Sequence, residues 1–259
     1  MRMMKKVLGT VTVLALSVSL LAGCGSTAAS PVSSAASTAA ESTTSSVVSE
    51  TTSAAADENV AAAAQLLNDL TGSYQELWPV ILADEYQQTW LDDCTALVGE
   101  ENAEAAFEKL SSMVTSDVYG EDAVEAYANG GGAYFCGFTN DLATLTFDGE
   151  TSTISGTDKD GNVLFSHTYH YIGMEPVRGL YEFQSDDADS GEFTYFFLAP
   201  DTSAETYHIE FRYGSDAEAL SQYDAGEYAY WLASGISTDC DQTMIDNCIE
   251  LFCTENLAG

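Results

Sequence analysis

The sequence has very few basic residues. Seven Lys and Arg stand among 259 residues, against 41 Asp and Glu. Because Arg2, Lys5 and Lys6 precede Cys24, the part after Cys24 has four basic residues against all 41 acidic ones, a net charge of −37 with neutral histidines. Phosphate binding needs clustered Lys and Arg. The composition therefore excludes nucleic acid as a partner and disfavours docking on anionic lipid through charge.

Long apolar runs are missing after the first 23 residues, and no later segment reaches the ~20 apolar residues that cross a bilayer. Residues 1–23 combine a basic start with the apolar run Val7–Leu21. This pattern predicts a secretory signal peptide. Its end, Leu21-Ala22-Gly23-Cys24, resembles a bacterial lipobox. The resemblance implies cleavage before Cys24 and a lipid anchor on its sulfur, at the cell surface on the outer face of the bacterial cytoplasmic membrane. The alternative is an ordinary signal followed by a chance cysteine.

Residues 24–56 lack large apolar side chains and consist mainly of Ser, Thr and Ala. Such a segment cannot bury enough surface to offset the entropy of ordering it. We therefore expect a disordered tether here, followed by one domain over residues 57–259.

The sequence has no CxxC unit, which argues against a structural zinc site built from cysteines. The five cysteines after Cys24 are an odd number, so at least one thiol of a monomer is unpaired. Sequence does not settle the pairing. These cysteines are Cys94, Cys136, Cys240, Cys248 and Cys253.

Helical periodicity dominates residues 57–128, where apolar side chains recur every three or four positions. The predicted helical segments are Asp57–Leu70, Ser73–Asp84, Tyr86–Leu97, Asn102–Val114 and Val118–Tyr127. The run Gly130–Gly132 ends this region.

Residues 133–213 alternate apolar and polar side chains and are rich in Tyr, Phe and Thr, which is typical of strands. The predicted strands are Ala133–Thr139, Leu142–Asp148, Thr151–Ser155, Asn162–Ile172, Gly179–Gln184, Phe193–Ala199 and Glu205–Tyr213. Tight turns such as Asp148-Gly149 indicate an antiparallel meander, and seven or eight strands suffice to close a small barrel. Residues 215–255 return to a mainly helical pattern. The predicted fold class is α+β, a mainly β domain in which an N-terminal helical segment precedes an antiparallel β-barrel.

Three stretches carry a resemblance to a known family. They are Leu70–Trp90 (LTGSYQELWPVILADEYQQTW), Asn162–Ser185 (NVLFSHTYHYIGMEPVRGLYEFQS) and Glu192–Gly214 (EFTYFFLAPDTSAETYHIEFRYG). In order and spacing they resemble the ZinT (YodA) family of periplasmic or surface zinc-binding proteins, from about Leu70 to the end. The resemblance implies a lipocalin- or calycin-like barrel flanked by helices, zinc as the bound metal, and metal homeostasis or uptake as the role.

The family binds zinc through three histidines, one before an Ala-Pro loop and two in a His-aromatic-His unit after it. Two strand residues at i and i+2 face the same way, which explains why that unit chelates. In this chain the first position falls on Phe196 and the second on Thr206. Of the three implied ligands, His208 alone is a histidine.

Other side chains offer a rebuilt metal site around His208. Glu210 lies two residues further on and is expected on the same face, and His170 is the third expected ligand. Asp201 and Glu205 add oxygen donors in the intervening loop. A site of this kind has harder donor atoms, because oxygen replaces nitrogen, and it is less selective for zinc than a site of three imidazoles. The alternative is that His208 is a half-buried histidine, hydrogen-bonded to its neighbours.

Two functions follow from these observations. The first is a lipid-anchored, extracytoplasmic protein that holds zinc or another divalent metal ion at the barrel mouth through His208 and carboxylates, and passes it to an uptake system. That site requires His208, His170 and Glu210 to converge inside one cavity. The second is a metal-free lipocalin-like barrel that binds a small apolar ligand or a surface partner. The sequence contains no arrangement that supports an enzyme, so we expect none.

Overall fold

The structure is a computed structural model that describes residues 47–199 and 208–258, with side chains from residue 58 onward. All described residues belong to one compact unit, Thr44–Gly259. The predicted signal peptide, the expected lipid site at Cys24 and the candidate site positions Asp201, Glu205 and Thr206 lie outside the described residues.

Helices dominate residues 47–128, as the periodicity predicts, although the first barrel strand lies among them. In the described residues the α-helices are α1 (Val47–Asp69), α2 (Leu77–Ile81), α3 (Gln87–Val98), α4 (Glu100–Ser112), α5 (Glu121–Ala128), α6 (Ala217–Leu220) and α7 (Gln242–Leu257). Two short 3₁₀ turns occur at Asp84–Tyr86 and Gly191–Phe193. Helix α1 begins at Val47 and so includes the last residues of the predicted tether, where alanines favour a helix.

Eight antiparallel strands close a barrel in which each strand pairs with the next and the last pairs with the first. The strands are β1 (Gly72–Glu76), β2 (Thr144–Asp148), β3 (Thr153–Thr157), β4 (Val163–Met174), β5 (Tyr181–Ser185), β6 (Tyr195–Leu198), β7 (His208–Gly214) and β8 (Ala233–Ser237). The predicted fold class, α+β with an antiparallel barrel and flanking helices, is confirmed. Closure removes the exposed strand edges that an open sheet presents.

Aromatic rings fill the interior of the barrel. Phe196 is fully buried and contacts Phe165, Tyr169, Phe211 and Tyr213, with ring centroids 5.4 to 6.4 Å apart. Such rings bury large apolar areas and add specific edge and offset contacts. The barrel interior is therefore a packed core.

A second core lies outside the barrel, where helices α2, α3, α4 and α7 pack together beside β8. Trp78 and Trp90 both contact Phe252, with ring centroids 4.7 and 5.8 Å apart. Ile236 of β8 belongs to this second core, so one face of β8 is covered by helices.

The first and last strands differ from the sequence prediction. The helix predicted over Ser73–Asp84 is wrong, because Gly72–Glu76 forms β1 and only Leu77–Ile81 is α-helical. The strand β8 lies within residues 215–255, where the pattern predicted mainly helix. Conversely, the predicted strand Ala133–Thr139 makes only isolated bridges, in which Phe135 pairs with Thr115 and Trp231. In each case, whether the segment forms a strand depends on pairing with residues that are distant in sequence.

None of the helices in the described ranges combines the length and the apolar character that crossing a membrane requires.

Candidate metal site on the outer wall of the barrel

Alternation along β7 decides which of its side chains reach the barrel interior. Ile209, Phe211 and Tyr213 are buried in the barrel core. Because successive strand residues face opposite ways, His208 and Glu210 lie on the outer face. The two side chains share a face, as their i, i+2 spacing predicts, but that face is the outer one and not the inside of a cavity at the barrel mouth.

The neighbours of His208 and Glu210 come from β8. His208 stands opposite Ile236, and Glu210 stands opposite Ser234. Both candidate ligands are half-buried at the margin of the helix-covered second core. A partly buried carboxylate beside an imidazole is a suitable start for a divalent cation site.

Two thiols lie near the Glu210 carboxylate. Burial raises the pKa of Cys136 to about 12, and the charge of Glu210 adds to the increase. Burial likewise raises the pKa of Cys248 to about 12, with further contributions from Cys240 and Glu210. Only a thiolate is a good metal ligand. In the metal-free chain both thiols are therefore protonated at neutral pH, and metal binding through either of them would release a proton.

His170 lies at the far end of the barrel wall from His208. The register places His170 opposite Gln184, Gln184 opposite Tyr195, and Tyr195 opposite Gly214, the last residue of β7. His208 is the first residue of β7, so six residues, or roughly 20 Å along the strand, separate the two levels. The structure does not bring His170 to His208 and Glu210.

Each histidine of β4 has a carboxylate partner. His170 Nδ1 lies 2.6 Å from Asp186 Oδ1, and His167 Nδ1 lies 2.7 Å from Asp187 Oδ2. The His170 side chain is about half exposed (52%), whereas that of His167 is mostly buried. The two rings leave β4 on opposite faces, as their odd offset predicts.

Phe196, where the resemblance implies the first ligand position, points into the barrel. Its Cα partner in β7 is Tyr213, and both rings belong to the barrel core. His208 is on the other face of the wall. The two positions that the resemblance places in one site thus lie on opposite sides of the sheet.

The described residues provide two donors for a cation at β7. No group of three His, Cys, Asp or Glu side chains within residues 58–199 and 208–258 has the geometry of a metal site. Zinc sites use three or four protein ligands. The described residues therefore do not by themselves form a complete metal site at His208 and Glu210.

A cationic cluster, which sequence reasoning missed, lies on the same outer face of β7. Arg212 is fully buried and donates to the carbonyl oxygens of Leu220 and Tyr228. Its guanidinium carbon is 4.3 Å from the Tyr223 ring centroid, and that of Arg178 is 4.4 Å from the same ring. The even spacing of Arg212 from His208 and Glu210 does place all three side chains on the same face. That spacing does not reveal that residues 217–232 cover Arg212.

The fold and site thus define a closed eight-stranded antiparallel barrel with flanking helices and an imidazole–carboxylate pair on its outer wall. A scan against protein-family models and a search of curated proteins give no match. Among solved structures, the chain is similar to the Zn(II)-bound ZinT-like domain of AdcA from Streptococcus pneumoniae, with 15% identity and a TM-score of 0.45, over 71% of this chain and 89% of that domain. It is also similar to Zn(II)-bound AdcA from the same organism, with 14% identity and a TM-score of 0.42, over 72% of this chain and 35% of that protein.

Proposed function

We propose that this chain is a lipid-anchored, extracytoplasmic, non-catalytic protein that binds zinc or another divalent metal ion and passes it to an uptake system. The metal is its cargo. His208 supplies the imidazole and Glu210 the carboxylate, and residues 200–207 complete the site. The anchor is Cys24, at the outer face of the bacterial cytoplasmic membrane.

The observation that carries the proposal is the shared outer face of His208 and Glu210 at the start of β7. The i, i+2 spacing on a strand is a chelating arrangement. The strand begins directly after the loop that contains Asp201 and Glu205. The resemblance of Glu192–Gly214 to the ZinT family supports the same place in the chain.

A mixed imidazole and carboxylate site has consequences for selectivity. Oxygen donors favour harder cations, whereas imidazole suits zinc, copper and nickel. We therefore expect weaker discrimination between zinc and other divalent cations than three imidazoles provide. Release of the cation to a second protein is also easier from a site with fewer nitrogen ligands.

Isothermal titration of the unit Thr44–Gly259 with zinc in metal-free buffer tests the proposal. We expect saturable binding that is abolished in His208→Ala and weakened in Glu210→Gln. His170→Ala is the matched control, because the same residue type is removed roughly 20 Å away along the wall. It should bind zinc like the parent.

Absence of saturable binding would contradict the metal-binding function. Equal loss in His170→Ala and His208→Ala would instead mean that zinc binds the surface histidines without a defined site. Retention of full affinity in His208→Ala would place the ligands in the loop alone, and Asp201→Asn with Glu205→Gln would then identify them.

The alternative function, a metal-free barrel with a small apolar ligand, meets an obstacle in the interior. Lipocalin-type binding needs a cavity within the barrel. Here Phe196, Phe211 and Tyr213 are fully buried among other rings at that place. The outer wall, with its imidazole and carboxylate, is therefore the better candidate surface.

A further inference from the structure

Two cysteines meet between helices α3 and α7. The sulfur atoms of Cys94 and Cys253 are 3.9 Å apart, although 159 positions separate the residues in sequence. Both side chains are fully buried in the second core. A disulfide needs the sulfurs about 2 Å closer, which small side-chain rotations supply when the helices already pack together.

Acidic side chains lie close together across the two helices that carry these cysteines. Burial raises the pKa of Asp93 in α3, and the charges of Glu250 and Asp246 in α7 add to the increase. Like charges across a helix interface are unfavourable, and no Lys or Arg occurs in either helix to offset them. A covalent link between α3 and α7 would hold this interface closed against that repulsion.

From this placement we infer that Cys94 and Cys253 are the disulfide-forming pair of the chain. The inference rests on the proposed extracytoplasmic location, because disulfides form and persist in oxidising compartments. Of the five thiols after Cys24, this assignment leaves Cys136, Cys240 and Cys248 unpaired. It also resolves the pairing that the sequence left open.

The chemistry is thiol–disulfide exchange with a disulfide oxidant such as oxidised glutathione. One cysteine, as thiolate, attacks a glutathione sulfur and releases one reduced glutathione. The second thiolate then attacks the mixed disulfide and releases the other. The two cysteines lose two protons and two electrons, and the oxidant gains them. Burial raises the pKa of both thiols, which slows the reaction in the folded chain. The bond therefore forms as the helices dock.

The unit Thr44–Gly259 is a suitable sample, because the closed barrel and both cores lie within it. It should be refolded with a glutathione redox couple, alkylated and digested with an endopeptidase that cleaves after glutamate. Cleavage after Glu85, Glu100, Glu250 and Glu255 separates Cys94 and Cys253 from the other cysteines. We expect peptides 86–100 and 251–255 as one disulfide-linked species, three alkylated thiols, and a melting temperature roughly 10 °C above that of the reduced sample.

Variants distinguish the bond from mere packing. In Cys94→Ala and in Cys253→Ala, the oxidised and reduced samples should melt at the same temperature, whereas Cys136→Ala should keep the full difference. Comparing two redox states of one variant cancels any loss of packing. A linkage between other cysteines, or five alkylated thiols after oxidation, would overturn the inference.

The cellular location is tested separately. The full chain should be expressed with its own leader in a bacterium, and its thiols should be trapped by alkylation before reduction. A disulfide between peptides 86–100 and 251–255 in the cellular protein would support both the pairing of Cys94 with Cys253 and the extracytoplasmic location. If the refolded unit contains the link and the cellular protein does not, the pairing stands and the proposed location is contradicted. Zinc titration does not depend on either result.

Discussion

Replacement of Arg212 by Met should strongly destabilise the domain. This side chain is fully buried on the outer face of β7, and its guanidinium joins the strand to the end of α6 and to the segment after it. It donates to the carbonyl oxygens of Leu220 and Tyr228 and, at 3.4 Å, to that of Gln222. Met fills similar volume but leaves these acceptors without their donor.

The magnitude follows from opposing contributions. Hydrogen bonds from a charged donor contribute about 1.5–3 kcal/mol each, and the contact with the Tyr223 ring about 1–2 kcal/mol. Against this, burial of a guanidinium costs several kcal/mol. Burial lowers the pKa of Arg212, in agreement with that cost. With two strong hydrogen bonds and one stacked ring, we expect a net loss of about 3 kcal/mol in the free energy of unfolding.

Urea denaturation followed by tryptophan fluorescence measures this loss. A loss of about 3 kcal/mol lowers the midpoint by roughly 1.5 M when the slope is about 2 kcal/mol/M. Arg178→Met is the matched control. Its guanidinium contacts the same Tyr223 ring and donates to Tyr134 Oη at 2.9 Å, but it is only partly buried. That variant should lose about 1 kcal/mol. An Arg212→Met midpoint equal to that of Arg178→Met would refute the reasoning.

Two further predictions concern pH and backbone packing. Burial raises the pKa of Cys136 and Cys248 to about 12 from 9.0, so the unfolded chain loses these protons first. The stability that these thiols contribute is then fully present below about pH 9 and falls as pH rises toward 12. In thermal melts across this window, the melting temperature of Cys136→Ala should fall less steeply with pH than that of the parent. An equally steep fall would contradict the raised pKa of Cys136. Gly149→Ala would place a Cβ 2.4 Å from the Cα of Asn68 in α1, so we expect a loss of about 2 kcal/mol in urea denaturation. Gly161→Ala, where no atom lies within 4 Å, is the control and should cost about 1 kcal/mol from its positive φ; equal losses would show that the close approach is unimportant.

The sequence predicted the barrel strands correctly where apolar and polar residues alternate over a long stretch that includes aromatic side chains. The stretch Asn162–Ile172 became β4, and Glu205–Tyr213 contains most of β7. β1 was missed because Tyr74, Leu77 and Trp78 also fit helical spacing, and its one fully buried residue gives no alternation to detect. Pairing with β2 and β8, which are remote in sequence, stabilises that strand.

The candidate site shows a different limit. Period-two spacing correctly put His208 and Glu210 on one face, but alternation by itself does not say which face is inside. That choice depends on the partner strands, whose rings fill the interior. The distance between His170 and His208 depends on the register of β4 through β7, which single-strand patterns do not contain. Arg212 was missed for the same reason, since its cover comes from residues 217–232.

The two faces of β7 have different surroundings. Phe196 and Tyr213 meet inside, where both rings add apolar area to the core. An unpaired imidazole at that place would have to be desolvated among aromatic rings, which is unfavourable. The outer face has no such constraint at His208, because the strand emerges there from the loop at the edge of the second core. A divalent cation bound by His208 and Glu210 would therefore lie on the outer wall, where it leaves the packing of the interior unchanged.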